Sequence, residues 1–70
     1  MRTTNGTRIA ELRIARGLSR RRLAAVVEVS PTQIGRYEQG LNDPTLLVAL
    51  RIADALGCDV HDFVTEGSAA

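Results

Sequence analysis

Only Glu28, Val29 and Ser30 separate two helix-forming stretches in this chain, and that short gap constrains the fold more than any other feature. Before the gap, Ser19 stands as an N-cap ahead of RRRLAAVV, where Leu23, Ala24 and Val27 form an apolar stripe at i, i+1, i+4. After it, Ser30, Pro31, Thr32 and Gln33 make a strong helix start: serine at the cap, proline at the first helical position and a glutamine able to complete a capping box. The second helix runs from Pro31 to about Gln39 and ends at Gly40, burying Ile34 and Tyr37 with Val29 packing from the turn. A three-residue link forces two such helices to cross steeply, as in a helix-turn-helix.

The flanking sequence supplies a core for this pair. Residues 7–16 place Ile9 and Leu12 on one face, with Arg13 and Arg16 beside it and Gly17 as the stop. LNDPT is turn chemistry, with Asp43 or Thr45 as cap, and a helix over residues 45–56 ends at Gly57. Its inner stripe is Leu46, Ala49, Ala53 and Leu56; Leu47, Val48, Leu50 and Ile52 widen the apolar surface beyond one face, an excess that needs a partner. Asp59 and Asp62 open a fifth short helix in which Val60, Phe63 and Val64 close the core. Residues 1–6 are expected to be a flexible arm, 7–64 the folded domain, and 65–70 a flexible tail. Seventy residues make one domain, and with Tyr37 and Phe63 the only aromatics the core is aliphatic, which suits an all-α bundle of short helices.

A single cysteine, Cys58, excludes an intrachain disulfide and makes a reducing compartment the default. No apolar run approaches a membrane span and the N-terminus lacks the apolar segment of a secretion signal, so the expected location is the cytoplasm with no membrane partner. The net charge of +1 hides a division: residues 1–36 carry eight arginines against two glutamates, a balance of +6, whereas residues 37–70 carry one arginine against six carboxylates, a balance of −5. Every basic residue is arginine, the side chain best shaped for bidentate contact with phosphate or guanine.

These features converge on the proline-led helix. In a steeply crossed pair the front of the second helix projects from the core, presenting free N–H groups and a positive dipole end. Gly35 has no side chain and would allow close approach to a groove floor, leaving Thr32, Gln33 and Arg36 as an outward polar comb.

The segments LSxxxLA, VSxxxIxxYExG and PxxxxxxxIAxxLG, at the separations found across residues 7–64, resemble the helix-turn-helix domains of the lambda and 434 phage repressors and Cro, the XRE family. The resemblance implies a compact five-helix lambda-repressor-like bundle, with the helix-turn-helix formed by helices 2 and 3. It further implies a sequence-specific transcriptional regulator, most simply a repressor, that binds double-stranded DNA as a homodimer and reads the major groove with helix 3. Carried over by position, Arg20 falls where relatives touch the DNA backbone, with Arg21 beside it as a further phosphate anchor. Ser30 and Pro31 lie at the helix front, and Thr32, Gln33 and Arg36 occupy the base-reading positions, Arg36 suiting guanine O6 and N7. Gln39 and Asn42 fall where the following loop meets phosphate, and Arg13 and Glu38 match a partly buried ion pair. Relatives often place the dimer contact in the loop that holds Cys58.

Three departures carry physical consequences. Glu28 stands where the family usually has glycine, and the left-handed conformation expected there costs a non-glycine residue roughly 1–2 kcal/mol. Pro31 replaces a side chain that in many relatives contacts a base, so specificity leans on Thr32 and Arg36. Leu47 and Val48 stand where relatives are often polar. The alternative function is therefore an antitoxin or adaptor that binds a protein partner through helix 4. No cofactor is expected: Cys58, Asp59, His61 and Asp62 lack the paired spacing of a zinc site, and no catalytic constellation marks an enzyme.

Overall fold

The computed structural model describes residues 2–66 and runs β1 (Arg2–Thr4), α1 (Gly6–Ala15), α2 (Arg20–Val27), α3 (Pro31–Glu38), α4 (Leu46–Leu56), a 3₁₀ turn (Val60–Asp62) and β2 (Val64–Glu66). Each helix starts on a polar side chain that accepts a backbone N–H: Asn5 from Arg8, Ser19 from Arg22, Ser30 from Gln33 and Thr45 from Val48. Gly17, Gly40 and Gly57 follow α1, α3 and α4 in the left-handed conformation that stops a helix. Glu28 ends α2 in the same region, at φ 63°, and is the only non-glycine residue with positive φ among the described residues.

Ile9, Leu23, Val27, Ile34, Ala49, Ile52 and Leu56 are fully excluded from solvent and form one aliphatic core, closed by Phe63 and Val64. The most extensive packing joins α2 to α3, and α1 lies against α3 while α4 lies against α2. The approach of α1 to α3 depends on Gly6, where a Cβ atom would stand 2.1 Å from the Tyr37 carbonyl oxygen. At the other end of α1, Arg16 Nε donates to the Leu56 carbonyl at 2.7 Å, satisfying an acceptor that a helix C-terminus leaves open.

Three expectations need correction. The fold has four α-helices, not five: residues 60–62 make a single 3₁₀ turn, after which Phe63 leaves helical geometry and the β-branched Val64 and Thr65 extend. The extended segment pairs antiparallel with residues placed in the N-terminal arm, with Thr4 opposite Val64 and Thr3 opposite Thr65, so a two-stranded ribbon accompanies the helices. The tail beyond Glu66 lies outside the described residues. Finally, Ile52 and not Leu46 belongs to the inner stripe of α4: Ile52 is fully buried, whereas Leu46 is 53% exposed. Pro44, two residues ahead of α4, is itself fully buried, and the first turn of α4 exposes Leu46 and Leu47 while Ala49 enters the core.

Candidate nucleic-acid interface

The link between α2 and α3 is held by backbone bonds. Val29 N–H donates to the Ala24 carbonyl at 3.1 Å, made possible by the left-handed turn at Glu28, whose carboxylate lies 3.8 Å from Arg51 at the surface. Ser30 then caps α3 through Gln33 N–H at 3.1 Å. The reciprocal half of the expected capping box, from the Gln33 side chain to the Ser30 backbone, is not made, which leaves the Gln33 amide unspent at the front of the helix.

Around this front end the structure gathers side chains from three segments. Arg20 from α2, Pro31, Thr32, Gly35 and Arg36 from α3, and Gln39 and Leu41 from the following loop line an open groove of about 300 Å³. Thr32, Arg36 and Gln39 are exposed; Gln33 is half-buried and does not line the groove. Arg21 is exposed on the first turn of α2. Asn42 is also exposed, its N–H directed back to the Arg36 carbonyl at 3.4 Å, and it does not join the groove. No hydrogen bond or ion pair engages the side chains of Arg21, Arg22 or Arg36 among the described residues, so these cations are available to an external anion. Arg13 and Arg16 are committed inside the fold.

Beneath the groove lies an ionic cluster. Arg13 grips Glu38 with two nitrogens, Nε to Oε2 at 2.6 Å and Nη2 to Oε1 at 3.2 Å, and donates Nη1 to the Leu18 carbonyl at 2.8 Å. Arg20 Nε reaches the same Glu38 Oε1 at 3.0 Å. A buried carboxylate needs this degree of compensation, because removing one partner would leave an uncompensated charge in a poorly solvated site. The contact of Arg20 with Glu38 has no signal in the sequence, since the two residues are brought together by the crossing of α2 and α3.

Gly35 serves a different purpose from the one its sequence position suggests. It is buried, and the Arg20 guanidinium covers it, with Nη1 3.5 Å from where a Cβ would stand. The bare patch on α3 is a seat for an arginine and not an opening for a groove floor. Leu41, 63% exposed at the groove rim, is an apolar component that the polar pattern of the loop gave no reason to single out.

The residues considered for metal or nucleophilic chemistry are arranged otherwise. Asp59 and Asp62 form a capping box on the 3₁₀ turn, and His61 Nδ1 lies 2.8 Å from Asp59. The bond from His61 N–H, together with the contact from its ring, holds the Asp59 carboxyl below the usual carboxylate range. Burial, reinforced by Asp62, pushes the Cys58 thiol up, against thiolate formation. Among the described residues no cluster of histidine, cysteine or carboxylate side chains could hold a metal ion, and no helix is long and apolar enough to cross a membrane.

Comparison with known proteins matches residues 9–63 to the helix-turn-helix family model HTH_3. The chain is 34% identical over 61 residues to the HTH-type transcriptional regulator RamB of Mycobacterium tuberculosis, covering 87% of this chain and 13% of RamB. It thus spans a small part of that relative's length. Among solved structures, it is similar to the restriction-modification controller protein C.AhdI of Aeromonas hydrophila, at 33% identity and a TM-score of 0.78 over 81% of this chain and 86% of that one. The P22 c2 repressor, crystallised with a synthetic operator, aligns with a TM-score of 0.78 at 26% identity over 83% of this chain and 88% of its own. With four capped helices, the three-residue turn and a family match across most of its length, the chain belongs to the XRE family of helix-turn-helix DNA-binding domains.

Proposed function

We propose that the protein is a sequence-specific transcription regulator, acting as a repressor, in which α3 enters the major groove of double-stranded DNA. The observation that carries this is the grouping of Thr32, Arg36 and Gln39 with Arg20 around one open groove at the helix pair, with the exposed, uncommitted Arg21 and Arg22 following Arg20 on α2. Ser30 and Pro31 set the N-terminus of α3, whose free N–H groups and dipole favour an adjacent phosphate. In this arrangement Arg20 and Arg21 meet phosphates from α2, Gln39 and Asn42 meet them from the loop, and Thr32, Gln33 and Arg36 face base edges. That the similar P22 c2 repressor was crystallised in complex with a synthetic operator supports DNA as the ligand. The role is one of binding in the cytoplasm, without catalysis or cofactor.

A homodimer completes the mechanism. α3 has eight residues, about 12 Å of helix, and reads only one short stretch of groove. Two copies on a pseudopalindrome place two such helices about 34 Å apart, one turn of the duplex. Selection of bound sites from random duplex DNA at physiological salt is expected to enrich symmetric half-sites. A pool that stays random after repeated rounds would refute the assignment.

A second function is favoured by one observation: Leu46, Leu47 and Leu50 stand exposed together on the first half of α4, a surface suited to a protein partner in an adaptor or antitoxin. The DNA reading is preferred because it uses the arginines and the groove as well.

A further inference from the structure

We infer that Glu38 is a positioning residue for DNA binding, acting through Arg20; the inference rests on the nucleic-acid function proposed above. Glu38 lies on the last turn of α3 with its side chain 2% exposed, so it cannot touch a duplex itself. Its Oε1 nevertheless accepts from Arg20 Nε at 3.0 Å, and Arg20 is half in solvent at the rim of the groove. The carboxylate is itself immobile, gripped by Arg13, which the Leu18 carbonyl fixes in turn. Gly35 provides the seat on which the guanidinium lies.

The consequence for recognition lies in what each nitrogen does. Nε is turned inward to Glu38, and the two Nη groups make no hydrogen bond among the described residues. Arg20 lines the groove with Thr32, Arg36 and Gln39, so these uncommitted nitrogens are donors for a phosphodiester oxygen there. An arginine free to sample its rotamers must be ordered at the moment of contact, whereas one already held by a fixed carboxylate does not pay that entropy. The charge also survives: two guanidinium groups share one carboxylate, so the cluster keeps a net positive charge. A residue buried 18 positions away in sequence thereby sets the geometry of a phosphate anchor.

The test uses the full chain and a duplex carrying the selected site, at a temperature where circular dichroism shows every variant folded. Arg20→Ala is expected to weaken binding about tenfold and to lower the slope of log affinity against log salt by about one. Glu38→Gln keeps size and an acceptor for Arg13, and is expected to weaken binding roughly fivefold. The double variant should bind no more weakly than Arg20→Ala alone. In the free protein, the Arg20 Nε proton should exchange faster with water in Glu38→Gln. If the two losses multiply in the double variant, or the Nε proton is indifferent to position 38, Glu38 has only a structural role and the inference is wrong.

Arg20→Lys covers the case in which Glu38→Gln fails to fold, since it leaves the Arg13–Glu38 pair intact and preserves the charge. It should lose roughly fivefold in affinity, and wild-type affinity would overturn the inference. Failure of the unaltered chain to prefer any duplex over competitor would instead sink the underlying function, whatever the exchange of the Arg20 proton shows.

Discussion

Gly6 and Glu28 place opposite demands on the backbone. At Gly6 a Cβ would overlap the Tyr37 carbonyl oxygen, a main-chain atom that no rotamer change can move aside. Gly6→Ala is therefore expected to separate α1 from α3 and destabilise the protein by about 3 kcal/mol, the upper end for forced overpacking. In a domain of this size that lowers the melting temperature by roughly 12–24 °C, measurable by calorimetry. At Glu28 the strain already exists, because a side chain occupies the left-handed region. Glu28→Gly should relieve it and stabilise by about 1 kcal/mol, raising the melting temperature by about 4–8 °C. The exposed contact to Arg51 at 3.8 Å is too screened to reverse that sign. A lower melting temperature would show that the ion pair outweighs the strain.

Two elements carry their own tests. The first half of α4 buries Ala49 in the core but turns Leu46, Leu47 and Leu50 to solvent, Leu47 being 59% exposed. On the proposal that the homodimer joins through this apolar face, Leu47→Glu is expected to leave the monomer fold intact and to shift the dimer toward monomer in sedimentation equilibrium. Unchanged self-association would remove α4 from the dimer contact and favour a heterologous partner for that surface. The 3₁₀ turn depends on Asp59 as its cap, and its carboxyl is held below the ordinary carboxylate range by the His61 N–H and then by the ring. A depressed folded-state value means that the stabilisation is present above the unfolded-state value and is lost as pH falls through the folded one. The amide resonance of His61 should thus report an Asp59 titration displaced below that of an unperturbed aspartate, and Asp59→Asn should abolish it.

For the whole molecule the decisive quantity is where the positive charge ends up. Of the arginines in the first half, Arg13 and Arg16 are absorbed into internal bonds and Arg8 lies 3.6 Å from Glu11, while Arg20, Arg21, Arg22 and Arg36 stand exposed on α2 and α3. Arg36→Ala is expected to cost about 1–3 kcal/mol and to relax preference at one base pair per half-site, if that arginine reads guanine. Arg21→Ala should instead weaken binding to all duplexes alike and reduce the salt slope by about one. Identical, uniform losses in both variants would show that Arg36 is another phosphate anchor. Binding isotherms on matched and mismatched duplexes at several salt concentrations distinguish the outcomes.

Capping and stop signals are local, so Ser19, Ser30, Gly17, Gly40 and Gly57 were enough to mark where most helices begin and end, and the tight link between α2 and α3 followed from their spacing. Apolar periodicity found nearly all of the core for the same reason. What required the third dimension were contacts between distant segments. Residues 2–4 pair with residues 64–66, Gly6 lies against the end of α3, and Arg20 lies over Gly35 in the grip of Glu38. Sequence spacing fixes which side of a helix a residue occupies, but only the packing of helices against one another decides what covers that side, and at Gly35 the cover is an arginine of the protein itself.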